Sequence, residues 1–215
     1  RQDFGGKEVL PGDIKYKDVN GDGVVNNDDI VPIGYRTVPG VQYGMGLSTS
    51  WKNFEFNILF QGSGKCDFFI GGNGPHAFRN GQTGNILQTM VDDNRWIPSE
   101  ISGDVSTENP NANWPRLTWG NNDNNNQKST FWLRDGRYIR LKNIELRYNV
   151  PTTFTRKFFV SNMQIGFIGE NLHTWSPFKL WDPENATTDE KNSGVRSGNA
   201  YPINRTYSCY IKLSF

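Results

Sequence analysis

The chain has 215 residues, enough for one sizeable core or two small ones, and carries a formal net charge of +1 with 21% charged residues. That balance gives no bulk electrostatic case for nucleic acid or any other strongly charged partner. No apolar run is long enough for a transmembrane helix, but the strands of a transmembrane barrel average out as polar and are not excluded.

The first element is a calcium-type loop, KDVNGDGVVNNDD. Counting from Asp18, oxygen-bearing residues recur as Asp18, Asn20, Asp22, Asn26 and Asp29, with Gly23 at the sharp turn and Val24 offering its backbone carbonyl. Calcium wants six to eight oxygens, and this spacing curls them around one point. Asp29 stands where the template has Glu, and a shorter side chain reaches the ion less readily with both oxygens. The alternative is an Asn/Asp-Gly turn with no metal. Nothing beside the loop resembles the flanking helices of an EF-hand, so a static calcium fastening is expected rather than a sensor.

A hairpin follows. In VQYGMGLSTSW the residues Val41, Tyr43, Met45, Leu47, Thr49 and Trp51 share one face, and in FEFNILFQG the residues Phe54, Phe56, Ile58 and Phe60 do. The two-residue link Lys52-Asn53 joins them. The long stretch 64–136 reads as loop, with one helix expected near 82–95 and an apolar stripe of Ile86, Leu87, Met90 and Val91. Its Asn-rich runs, ENPNANWP and GNNDNNNQK, also read as loop.

A second hairpin is expected over 137–172. RYIRLKNIELRYNVP sets Ile144, Leu146 and Tyr148 on one face, its first half less cleanly, and FVSNMQIGFIGEN sets Phe159, Met163, Ile165 and Phe167 together. A loop over 173–205 leads to the last strand, 206–215, where Tyr207, Cys209, Ile211, Leu213 and Phe215 alternate. Five strands with short turns at one end and long loops at the other are the pattern of an outer-membrane barrel. Aromatics at the short-turn ends, Trp51, Phe54, Tyr148, Phe159 and Phe215, suit a membrane interface. A soluble β-sandwich with aromatic edges is the other reading.

Little here suggests catalysis. The only histidines are His76 and His173, neither in a nucleophile or metal motif, and Cys66 and Cys209 lack metal-type spacing. Asp92 with Asp93, or Asp182 with Glu184, are the nearest approach to an acid/base pair, and isolated loop carboxylates are usually solvated. No enzyme is expected. Trp114, Trp119, Trp175, Trp181 and Tyr201 lie in the long loops, where flat rings stack on a ligand or pack the loops together.

Several stretches together carry a resemblance: PGDIKYKDVNGDGVVNNDD, IGYRTVPGVQYGMGLSTSWKNFEFNILFQG, WLRDGRYIRLKNIELRYNVP, GENLHTWSPFKLWDPE and AYPINRTYSCYIKLSF. In this order they resemble the C-terminal part of SusC/RagA-type TonB-linked outer-membrane transporters. The resemblance implies an all-β fold, the last five strands of a roughly 22-stranded transmembrane barrel closed by a plug. It implies import of oligosaccharides or peptides into the periplasm of Bacteroidetes-type bacteria, with a SusD-like surface lipoprotein as lid and TonB engaging an N-terminal box. Neither plug nor box is in these 215 residues, so the segment is expected to pair with the remainder of the transporter. Tyr207, Cys209, Ile211, Leu213 and Phe215 resemble the signal read by the barrel-assembly machinery. The long loops, the calcium-type loop in 1–40 among them, would then be extracellular, with the strands facing outer-membrane lipid. The competing function is a secreted, calcium-stabilised β-sandwich that binds carbohydrate or anchors an extracellular complex.

Overall fold

The computed structural model describes residues 1–79, 81, 84–92, 94–187 and 193–215. In chain order its elements are β1 (Val41–Trp51), β2 (Phe54–Gly64), β3 (Asp67–Ile70), α1 (Gln88–Asp92), α2 (Ser99–Ser102), β4 (Leu133–Asp135), β5 (Tyr138–Val150), α3 (Thr152–Thr155), β6 (Asn162–Trp175), β7 (Val195–Arg196) and β8 (Thr206–Ser214). Contacts divide the chain into a loop body (Arg1–Gly34, Phe68–Arg134, Ala186–Asn199) and a sheet unit (Tyr35–Asp67, Asp135–Asn185, Ala200–Phe215).

The sheet unit is one antiparallel sheet in the order β1-β2-β5-β6-β8, open at β1 and β8, and five strands close no barrel. Register explains its two faces. One row across the strands runs Trp51, Phe54, Tyr148, Ile165, Ile211, and another runs Leu47, Ile58, Ile144, Gly169, Tyr207. The neighbouring row, on the opposite face, runs Ser50, Glu55, Arg147, Gly166, Tyr210. A one-residue slip would exchange the two faces entirely, so the alternation holds the register.

The blurred first half of the third strand has a cause. Between Leu141 and Asn143 the pairing of β5 shifts against both neighbours: Lys142 is the extra residue of a β-bulge against β2, and against β6 it stands opposite two residues, Asn171 and Leu172. Phe159, expected on the strand face, lies outside β6. It ends a 3₁₀ turn (Arg156–Phe158) in the left-handed conformation, with φ of 60°. At its other end β6 runs on through His173 to Trp175.

The loop body has a core of its own. A three-stranded sheet, β4-β3-β7, with β3 and β7 parallel, buries Phe68 and Ile70 near Trp132. These strands of two to four residues carry too little alternation to be read from sequence. The helix expected near 82–95 is only α1, a single turn with Met90 buried; Val91 is exposed. Gly84 and Asn85, both poor helix formers, sit in the turn that precedes it, where Gly84 N–H donates to Gly81. Gln82, Thr83 and Asp93 lie outside the described residues.

Candidate functional site

The calcium-type loop is tied to itself by its own side chains. Asp18 accepts from the N–H groups of Gly21 (2.6 Å) and Gly23 (2.8 Å), and Asp22 from Val24 (2.8 Å). Asn20 Oδ1 accepts from Asp22 N–H, and Asn20 Nδ2 donates back to Asp22. Asp29 closes the loop, accepting from Val19 (2.7 Å), Asn20 (3.2 Å) and Asn26 (2.9 Å), and these three backbone donors hold its carboxyl below the usual carboxylate range. Asn26 caps the 3₁₀ turn Asn27–Asp29 by accepting from Asp28 N–H. Gly21 and Gly23 both take positive φ, at 79° and 86°, which is what the sharp curl requires.

The donor set suits a hard cation, since an ionised carboxylate has about four lone-pair sites and these bonds use only some of them. The carboxylates are nonetheless not drawn to one point: among the described residues no three His, Cys, Asp or Glu side chains are gathered as a metal cluster.

Elsewhere the loop body is organised by Asp13, whose carboxylate is fully shielded from solvent. It takes a two-pronged contact from Arg116 (2.8 and 3.0 Å), and further bonds from Asn125 Nδ2 (2.7 Å), Asn122 Nδ2 (3.3 Å) and Leu10 N–H (2.9 Å). Asn122, Asn124 and Asn125 are buried. Asn124 donates to the Ile14 carbonyl and Asn125 accepts from Ile14 N–H, so the Asn-rich run packs as the partner of residues 10–16. Tyr16 donates to the Asn124 carbonyl at 2.7 Å, and burial pushes its phenol up to about 12. Sequence reading missed this polar core because a run of Asn looks the same whether solvated or satisfied.

His76 is 6% exposed, neither ring nitrogen has a protein partner, and burial lowers its pKa to about 4, with Arg79 adding to the shift. Its ring lies edge-on to Trp132, 4.9 Å between centroids. With Trp114 it lines a cavity of about 30 Å³.

The four tryptophans singled out in sequence fall in different places. Trp114 is buried in the loop body, beside Trp132. Trp119, also in the loop body, is 61% exposed and tilts against Phe78. Trp175 ends β6 against His173, in the row of Ile139 on the apolar face, and Trp181 packs edge-on to Phe178; both belong to the sheet unit. Tyr201 is exposed.

Within the sheet unit the polar face is cross-linked. Arg147 pairs with Glu55 (3.1 Å) and Glu145 (3.2 Å), Asn149 donates to Glu55 (2.8 Å), and Asn57 donates to Glu145 (3.2 Å). Tyr210 reaches Glu145 at 3.3 Å by lying across Gly166, where a Cβ would stand 2.2 Å from its ring. Arg140, buried on this face, takes Asp182 through both carboxylate oxygens (2.6 Å) and has Glu184 at 3.1 Å. That pairing binds the two loop carboxylates to a cation and leaves them poorly placed as an acid/base couple. Asp92 accepts from Gln88. The apolar face is bare instead: Met45, Leu47, Trp51, Tyr207 and Ile211 are all exposed. Tyr207, Cys209, Ile211 and Leu213 line that face of β8, and Phe215 follows it, exposed.

An open apolar face of this extent on a sheet with a satisfied polar face marks an interaction surface, and comparison with known proteins gives it a context. No family model matches the chain. It is 30% identical over 208 residues to TonB-dependent receptor P26 of Formosa agariphila, a match covering 95% of this chain and 20% of that protein. With TonB-dependent receptor P3 of the same organism the identity is 28% over 214 residues, 95% of this chain and 19% of that protein. The chain therefore spans about a fifth of the length of these curated relatives. Among solved structures it superposes on the RagAB peptide importer in its open-open state, with a TM-score of 0.61, 22% identity, and coverage of 84% of this chain and 18% of that one. The closed-closed state gives 0.62, 22%, 85% and 18%. At these identities the structural likeness establishes the fold. Over nearly its whole length this chain is similar to a segment of about a fifth of these TonB-dependent receptors, and its fold is that of the matching segment of RagAB.

Proposed function

We propose that this chain is a wall segment of a TonB-dependent outer-membrane transporter that imports oligosaccharides or peptides. The observation that carries the reading is the register of the five-stranded sheet. Row after row sets apolar residues on an exposed face and hydrogen-bonded polar residues on the other, the arrangement of a barrel wall between lipid and lumen. The edges β1 and β8 present unpaired backbone groups that no membrane-embedded sheet leaves open, so the rest of the chain completes a roughly 22-stranded barrel against them. The long connections leave from one end of the strands and lie outside the cell. There they meet a SusD-like lipoprotein lid, while TonB acts through the N-terminal part of the transporter. Trp119 is the best placed of the four tryptophans to stack on cargo, being exposed in the loop body.

In the same reading Asp18, Asn20, Asp22, Asn26 and Asp29 hold a calcium ion with the Val24 carbonyl, as a fastening of the extracellular loops. When bound, the ion supplies charge that draws these oxygens together. Two experiments test the proposal. Fractionation of cells expressing the full-length transporter is expected to leave it in the outer membrane, resistant to carbonate extraction; recovery in the soluble fraction would sink the barrel reading. Calorimetric titration of the chelator-treated transporter with calcium is expected to give heat that the Asp18→Ala, Asp22→Ala double variant loses. No heat and no rise in melting temperature would remove calcium from the account.

A further inference from the structure

Inside the loop body two neighbouring indoles differ in their bonding. Trp132 Nε1–H donates to the Asn125 carbonyl at 2.6 Å. Trp114, its ring centroid 6.1 Å away and its side chain buried, has an Nε1–H that no protein acceptor reaches among the described residues. His76 is equally buried, and neither of its ring nitrogens has a partner there. The ring is fixed in this position. The His76 backbone N–H donates to the Gly72 carbonyl at 3.0 Å, and Trp132 lies edge-on at 4.9 Å. Gly71 stands so close that a Cβ there would be 3.2 Å from His76 Cε1 and 3.4 Å from Nε2. Buried polar groups are almost always hydrogen-bonded, to protein or to ordered water. Three such atoms, on two side chains that line one cavity, call for a bound partner.

The cavity selects that partner by size and by chemistry. Its volume is about 30 Å³. One water needs roughly 10–15 Å³ of such space, whereas benzene occupies a cavity of about 150 Å³. A sugar ring or an amino-acid side chain of a cargo is therefore too large. In chemistry, a neutral imidazole offers one donor and one acceptor, and an indole only a donor. The occupant must accept from Trp114, and must both accept from and donate to His76, which neither a halide nor a metal ion can do. Burial and Arg79 keep His76 neutral, with a pKa of about 4. The remaining wall supplies further partners. Asn122 lines the cavity, and its Oδ1, which accepts from Asn125 N–H at 3.0 Å, has a second lone pair to offer. Thr118 brings a hydroxyl to the same wall.

We infer that this cavity is a hydration site: about two ordered waters accept from Trp114 Nε1–H, satisfy both ring nitrogens of His76 and donate to Asn122. Asn122 Nδ2 itself donates to Asp13, so the waters join His76 and Trp114 to the Asp13 centre in one connected polar core. The site lies wholly in the loop body and does not depend on the transport reading.

The test is a crystal structure of the full-length protein at a resolution that shows ordered water, determined once from chloride and once from bromide buffer. Density is expected within hydrogen-bond distance of Trp114 Nε1 and of the His76 ring nitrogens, with no anomalous signal in bromide. An anomalous peak at that position would overturn the hydration site in favour of an anion site. Protein acceptors bonded to both side chains, or a cavity without density, would overturn it outright. In the Trp114→Phe, His76→Leu double variant the density is expected to be lost. Density that stays would overturn the roles given to these two side chains. If the double variant does not fold, the two structures of the parent still decide.

Discussion

The sheet unit and the loop body solve opposite problems with similar residues. In the sheet unit the backbone bonds are made strand to strand, so side chains are free to serve the two faces, apolar outward and a lattice of Glu55, Glu145, Arg147 and Asn149 on the other side. In the loop body short strands leave most backbone groups without a ladder, and side chains take over that work. Asp13, Asn122, Asn124 and Asn125 bond the backbone and each other in a core where a soluble domain would place leucines. The difference teaches where each unit is vulnerable: the sheet to changes of shape, the loop body to loss of a single polar partner.

The largest expected effect follows directly. Asp13→Ala strips Arg116 of its partner, and breaking a buried pair by removing one member costs about 3–5 kcal/mol. Limited proteolysis of the full-length protein is expected to open residues 1–34 and 68–134 in this variant while the strands stay protected. Equal loss of strand protection would erase the contrast between the units. Next in size is a pH effect. His76 is held neutral, with a folded pKa of about 4 against 6.5 in the unfolded chain. The unfolded state therefore binds the extra proton first, and loop-body stability, complete above pH 6.5, falls by about 3 kcal/mol as pH drops toward 4. Arg79 and the Asp13-bound Arg116 add no negative charge to ease the protonation. Hydrogen exchange across this range is expected to rise around residues 68–76, and His76→Phe to flatten the dependence.

The same contrast decides what could be read from the sequence. Five strands were legible because each faces two environments, which writes period two into residues such as Val41 to Trp51 and Tyr207 to Leu213. The one blurred strand is blurred by Lys142, where a bulge shifts the phase. The turn residues of the calcium-type loop were legible too, since Asx turns are local in sequence. The Asp13 centre was not: its side-chain partners lie more than a hundred residues away, and neither Arg116 nor an Asn carries a mark of being buried. Phe159 was assigned to the strand because alternation fits it, whereas the left-handed turn that removes it is closed by backbone bonds from Phe159 N–H to Arg156 and from Val160 N–H to Thr155. The tryptophans gave no hint of which would be buried.

A smaller effect probes the sheet. Gly166→Val places a side chain where the Tyr210 ring crosses the strand, and overpacking of this kind costs about 1–3 kcal/mol. Thermal unfolding of the detergent-solubilised full-length protein is expected to shift downward. Removing the ring as well, in Gly166→Val with Tyr210→Ser, recovers most of the loss if shape is what matters. Failure of that recovery would mean that the hydrogen bond to Glu145 carries the stability and that the two units share one weakness.

The smallest effect separates the calcium-type loop from both. Asn26 accepts from Asp28 N–H at 2.6 Å, and Asp29 returns the bond to Asn26 N–H at 2.9 Å, a reciprocal cap that exists without any metal. Asn26→Ala is therefore expected to loosen the loop by about 1 kcal/mol in chelator alone, as cap removal generally does. Asn26→Asp keeps the acceptor and is expected to cost little there, while adding a charge that a bound cation would welcome. Comparing the two variants with and without calcium resolves what the loop is for. If the Asn26→Asp variant gains melting temperature from calcium beyond the parent, the side chain points at the ion. If both variants respond to calcium as the parent does, Asn26 serves the turn alone, and the loop joins the Asp13 core as a structure held by side-chain bonds to its own backbone.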